Sequence, residues 1–231
     1  MSFVASEAFK RNNRSGAEKM NEQEGRGLSR TLVRVHVMSE IAQSIDKVIK
    51  LGLADLLKEY GFKKSGRNWH KAQGENWLIV NVQASRGNIG SEGQFTINLG
   101  VYATSVAALA GQKPLGGKPR EYDSTLRERL GVIVDGKDHW WRIDGGTNLP
   151  SIADDVVEKM KLFGLPWLSA HSEVAQISET LKDSPSLLSV CAAWLAGSKD
   201  EAIQRLHSAI ASRPAAKSHF RAWASRNGVQ L

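Results

Sequence analysis

The sequence predicts an α+β protein: a mainly antiparallel sheet of four or five strands, helices on one face, and a small all-helical C-terminal module. Three observations carry this. In residues 94–102, Phe95, Ile97, Leu99 and Val101 alternate with Thr96, Asn98, Gly100 and Tyr102. Successive strand side chains point to opposite faces, so this stretch has one apolar and one polar face. Residues 39–60 and 151–163 instead repeat apolar residues at helical spacing. After Trp167 the texture changes to short helical segments broken by Pro185, Gly197 and Pro214.

In chain order, residues 1–37 lack periodicity and read as a disordered or loosely attached extension. Met20 and Met38 both fit alternative starts. Residues 38–168 form the α+β domain and 169–231 the helical module. Helix 39–60 takes Ser39 as N-cap and Gly61 as its end, with Ile41, Ile45, Val48, Leu53, Leu56 and Leu57 on one stripe. Residues 62–71 read as a hairpin turning at Gly66. Residues 76–86 read as a strand: Leu78, Val80, Val82 and Ala84 face one way, Trp77, Ile79, Asn81 and Gln83 the other. Residues 104–120, with Gly111, Pro114, Gly116, Gly117 and Pro119, read as a long connection. Residues 122–134 fit a strand or a short helix equally. Residues 138–144 read as an edge strand, and Ser151 caps a helix that Gly164 and Pro166 stop. Four C-terminal helices are expected, near 172–182, 186–196, 199–211 and 215–226.

Composition narrows the classes. With 41% apolar residues the 231-residue chain can bury a core. No apolar run approaches the roughly 18 residues of a membrane span, and a cytoplasmic location is expected. Cys191 is the only cysteine, which rules out an internal disulfide and any multi-Cys zinc site. The net charge is +7, but residues 1–37 hold seven Lys/Arg against four Asp/Glu and so carry +3 of it. The balance implies weak, non-specific attraction to polyanions.

Certain stretches are familiar together. They are Leu57-Lys-Glu-Tyr-Gly-Phe-Lys-Lys64, Gly66-Arg-Asn-Trp-His70, Phe95-Thr-Ile-Asn-Leu-Gly100, Tyr122-Asp-Ser-Thr-Leu-Arg-Glu-Arg-Leu-Gly131 and His139-Trp-Trp-Arg142. In this order they resemble the bacterial family catalogued as domain of unknown function four-three-zero-four, over about residues 38–168. The resemblance implies an α+β domain and transfers no activity. Similar sequences often place a cysteine ahead of Leu126-Arg-Glu-Arg129; here Ser124 and Thr125 stand there.

The candidate binding surface is the polar sheet face: Asn81, Gln83, Thr96, Asn98 and Tyr102, with Arg127, Arg129, His139, Trp141 and Arg142 at its margin. Amide, hydroxyl and guanidinium groups supply the donors and acceptors recognition needs. The bland counterpart is a solvated face. His70 and His139 could meet across the sheet, but no Cys/His cluster or helical His pair marks a metal site. Trp140 and Trp141 are adjacent, so they face opposite sides: one is core, and the other is exposed or covered by the C-terminal helices. Cys191, among Ala, Leu and Val, reads as packed. No cofactor or metal is expected. The leading expectation is a non-enzymatic binding protein that recognises a partner protein, one version being an immunity-type partner. The basic charge argues against a role in neutralising basic nucleases. The alternatives are a small-ligand-binding or enzymatic domain using the polar face, and single-stranded nucleic-acid binding through Arg67, Trp69, Lys71 and Arg86.

Overall fold

A computed structural model describes residues 40–89 and 92–231; the N-terminal extension and the Ser39 cap lie outside them. The first helix, α1, runs through residues 40–48, a π-turn at Ile49–Leu53 and a final stretch Ala54–Glu59. Its apolar stripe is wholly buried. Gly61, at φ +83°, turns the chain out of the helix, as a residue without Cβ can.

Among the described residues six strands follow: β1 (Lys63–Ser65), β2 (Asn68–Gln73), β3 (Asn76–Ala84), β4 (Gly93–Tyr102), β5 (Leu126–Arg129) and β6 (Trp141–Ile143). All pairs are antiparallel, in the order β1-β2-β3-β4-β5. β4 is central: β3 lies along one edge, while β5 and β6 share the other end to end. The alternation in β4 does set its faces. Phe95, Ile97, Leu99 and Val101 pair with Ala84, Val82, Val80 and Leu78, and all but half-buried Ala84 are in the core.

The remaining helices are α2 (Thr104–Leu109), α3 (Leu130–Asp135), α4 (Leu149–Lys159), α5 (Leu165–Ala170), α6 (Val174–Thr180), α7 (Leu187–Leu195), α8 (Lys199–Ser212) and α9 (Lys217–Arg226). The ambiguous stretch 122–134 contains both states, strand β5 running directly into α3. The connection 104–120 begins with α2.

Two helix boundaries differ from expectation. α4 starts at Leu149, where the Asn148 side-chain oxygen accepts from Ser151 N (3.2 Å), so Asn148 and not Ser151 is the cap. Gly164 and Pro166 do not stop it. The helix passes through a π-turn at Met160–Gly164 into α5, with Pro166 just past the widened turn, where the hydrogen-bond ladder changes register. One contiguous apolar cluster includes α1, the apolar sheet face, α4 and α5, and extends through Ile177, Val190, Leu206 and Trp223 of the C-terminal helices. Trp223 Nε1 donates to Leu109 O (3.1 Å), joining α9 to α2.

The polar face is not open to water at its centre, which overturns the reading of it as a solvated face. Thr96 and Asn98 are 0% and 1% exposed. Residues 118–125, called here the strap, cross this face, and residues 137–140 close it further along. The contact is tight enough to require glycine: a Cβ on Gly100 would lie 2.2 Å from Ser124 Oγ.

Candidate functional site

The site is the cleft between the strap and the polar face. Strand register builds its floor. Asn68 pairs with Asn81, Asn81 with Asn98, and Asn98 with Arg129, so these four stand in one row across β2, β3, β4 and β5. The amides form a chain: Asn98 Nδ2 donates to Asn81 Oδ1 (3.0 Å) and Gln83 Oε1 (2.9 Å), and Asn81 Nδ2 donates to Asn68 Oδ1 (2.8 Å). Above this floor is a cleft of about 940 Å³, bounded by His70 and Arg127 of the sheet, by Arg86 of the loop after β3, and by Lys118, Arg120 and Glu121 of the strap.

The electrostatics follow from burial. His70 is 6% exposed, and its Nε2 contacts Pro119 O at 2.9 Å. Because that carbonyl can only accept, Nε2 carries the proton and Nδ1 is the bare nitrogen. Burial lowers the His70 pKa, the Pro119 contact opposes this, and Lys118 adds to the lowering, which favours the neutral ring. Burial raises the Glu121 pKa, with Arg127 and Arg129 pulling the other way. Arg127 Nε lies 2.8 Å from Glu121 Oε1, yet the pair is misaligned and Oε1 accepts no well-directed hydrogen bond. Among the described residues four buried side-chain atoms lack a hydrogen-bond partner: His70 Nδ1, Asn98 Oδ1, Glu121 Oε1 and Ser124 Oγ. All four belong to this sheet–strap interface.

The structure gathers some of the expected residues and scatters others. Asn81, Gln83 and Arg127 line the cleft, and Asn98 lies beneath it. Thr96 shares the face, but its hydroxyl donates to His139 O (2.9 Å). Tyr102 sits at the far end in a small apolar cluster with Ile79 and Ala107. Arg129 turns to Asp138 and lies over the Trp140 ring. Trp141 is on the opposite, apolar face, stacked on Phe95 at 5.3 Å, with Nε1 donating to Asp155 (2.7 Å). The His139 ring packs edge-on to Trp141 at 4.6 Å, away from His70, so the two histidines do not meet. Arg142 lines a separate depression beside Gly87–Ile89 and Gln94. The basic-aromatic array is not assembled either: Trp69 is 1% exposed on the apolar face, and Arg67 is bound to Asp46 Oδ1 (2.8 Å) and Ala42 O (2.8 Å) of α1.

Sequence reasoning missed Asn68, Lys118, Arg120 and Glu121, and placed His70 elsewhere. The alternation Asn68, Trp69, His70 was a signal for the first and last of these. The strap, within a Gly/Pro-rich connection and its continuation, offered none. Burial also pushes the Cys191 thiol up to about 12, as its apolar setting implied. Among the described residues no group of three or more His, Cys, Asp or Glu is placed to hold a metal ion. No described helix is long and apolar enough to cross a membrane.

Fold and site together define an α+β domain with a strapped, amide-floored cleft. Residues 53–170, over half of the chain, match the domain of unknown function DUF4304, and the chain belongs to that family. No curated protein and no solved structure matches it.

Proposed function

We propose that this is a binding protein whose recognition site is the polar-face cleft and whose ligand is a small molecule. One observation carries the reading: among the described residues, the buried side-chain polar atoms that make no hydrogen bond all lie along one interface. Buried polar groups are almost always hydrogen-bonded, so such a concentration needs a cause. A site that exchanges its contacts when a ligand enters supplies one. The concavity favours a small ligand over the partner protein expected from sequence. A volume near 940 Å³ falls within the roughly 300–1,000 Å³ of small-molecule sites, whereas protein partners usually cover about 800 Å² of surface per side.

The test is backbone-amide NMR of the full chain against a small-compound library of mixed charge. Compounds are expected to shift Asn68, Gln83 and residues 118–127 saturably. A library that leaves these amides unmoved, with a protein captured from the host shifting other surfaces instead, would restore the partner-protein reading.

A further inference from the structure

We infer that the ligand of this cleft is a small oxyanion of the phosphate-monoester class; this rests on the cleft being the recognition site. Two independent observations lead there. The first is charge. Arg86, Lys118, Arg120 and Arg127 stand around the cleft, and Glu121 is the one acid lining it. Glu121 Oε1 lies 2.8 Å from Arg127 Nε, so the charge of that acid is matched by Arg127 although no aligned hydrogen bond joins them. Arg86, Lys118 and Arg120 have no ion-pair partner among the described residues. The cations left uncompensated suit a doubly charged anion better than a single carboxylate.

The second is the direction of the floor's hydrogen bonds. The oxygens of Asn68, Asn81 and Gln83 are consumed by amide donors. The NH₂ groups of Asn68 and Gln83 remain to be used. Running the chain the other way would bury an unpartnered NH₂ on Asn98, where the present direction leaves an unpartnered carbonyl. A buried carbonyl short of a partner is the more tolerable of the two. The floor therefore presents N–H and the walls present cations, so the matching ligand is rich in acceptors and negative. The volume exceeds what a bare ion needs, leaving room for the organic part of an ester. A nucleic-acid backbone has the same phosphate chemistry, but Trp69, the aromatic proposed to stack bases, is buried on the other face.

The experiment is an NMR titration of the full chain with inorganic phosphate, glycerol phosphate, glycerol and a single-stranded oligothymidylate. Phosphate and glycerol phosphate are expected to shift Asn68, Gln83 and residues 118–122 saturably, and glycerol to leave them unchanged. The surface double variant Lys118→Gln/Arg120→Gln should weaken binding by about tenfold or more, on the scale of lost charged hydrogen bonds. Its unfolding temperature should stay that of the parent. Absence of a saturable shift with either phosphate, or unchanged affinity in the double variant, overturns the inference. An oligonucleotide binding the same amides far more tightly replaces the small ligand with a polymer. Neutral or cationic compounds saturating the cleft where phosphates do not would sink the oxyanion and leave the cleft standing. No compound moving those amides removes both.

Discussion

Among the described residues Glu121 is the one acid lining the cleft, and burial sets its protonation. The strap carries its carboxyl into the cleft, and burial makes the folded state grip the proton more tightly than the unfolded chain does. Folding is therefore favoured while the group is protonated. That advantage is complete below the ordinary value of 4.5 and is lost as pH rises through the raised folded value. The variant Glu121→Gln should remove this dependence. Denaturant midpoints measured from pH 4 to 8 are expected to fall with rising pH in the parent relative to the variant. Parallel curves would show that Arg127 and Arg129 compensate the carboxylate fully. At this scale the sequence is legible only in part. Alternation assigned Asn81, Gln83 and Asn98 to one face, since parity is a local property. The adjacency of Trp140 and Trp141 required one of them to be buried, but only the register of β6 on β4, Phe95 opposite Trp141, decides which.

Among the elements, α6, α7 and α8 are pinned by one buried cation. Arg205, 7% exposed, donates from Nη1 to Ser178 O (2.9 Å), Ser189 O (3.2 Å) and Ser189 Oγ (3.1 Å), and also pairs with Glu201. The planar fork serves two directions at once, Nη1 toward Ser178 and Ser189 and Nε with Nη2 toward Glu201, a spread a single ammonium cannot span. Arg205→Leu should destabilise by about 2–4 kcal/mol, because it leaves buried acceptors unpaired. Arg205→Lys should recover less than half of that. A loss below about 0.5 kcal/mol in chemical denaturation, the size of an ordinary surface change, would mean the three helices hold without it. Helix periodicity announced these elements because apolar spacing survives in short segments. It did not announce the two π-turns. In α1 the extra residue brings Gly52 so close to α4 that a Cβ there would sit 2.6 Å from Val157 Cγ2. That fit depends on a helix distant in sequence, so no local pattern encodes it.

For the whole molecule, the family match ends at residue 170 while the apolar cluster does not. The side chains that cover α2 come from α7 and α9, including Trp223, which is 0% exposed. A chain ending at Ala170 should therefore lose its cooperative thermal transition or aggregate, whereas the full chain melts as one unit. A truncated protein that melts within a few degrees of the parent would make residues 171–231 an independent appendage. The fold class was readable from the sequence because alternation and helical spacing are both short-range. The strap was not, since its contacts with β2 and β4 join residues 20 to 50 positions apart through a stretch with no period of its own.

The end-to-end sharing of one β4 edge by β5 and β6 has a consequence for how this protein behaves in company. The outermost strands are β1, with three residues, and the pair β5 and β6, with four and three. None offers an unbroken row of free backbone groups long enough to recruit a strand from a neighbouring molecule, and Lys63 and Lys64 place charge on the first of them. Crowding should thus not drive edge-to-edge strand pairing between copies, where a sheet with one long bare border would begin to stack.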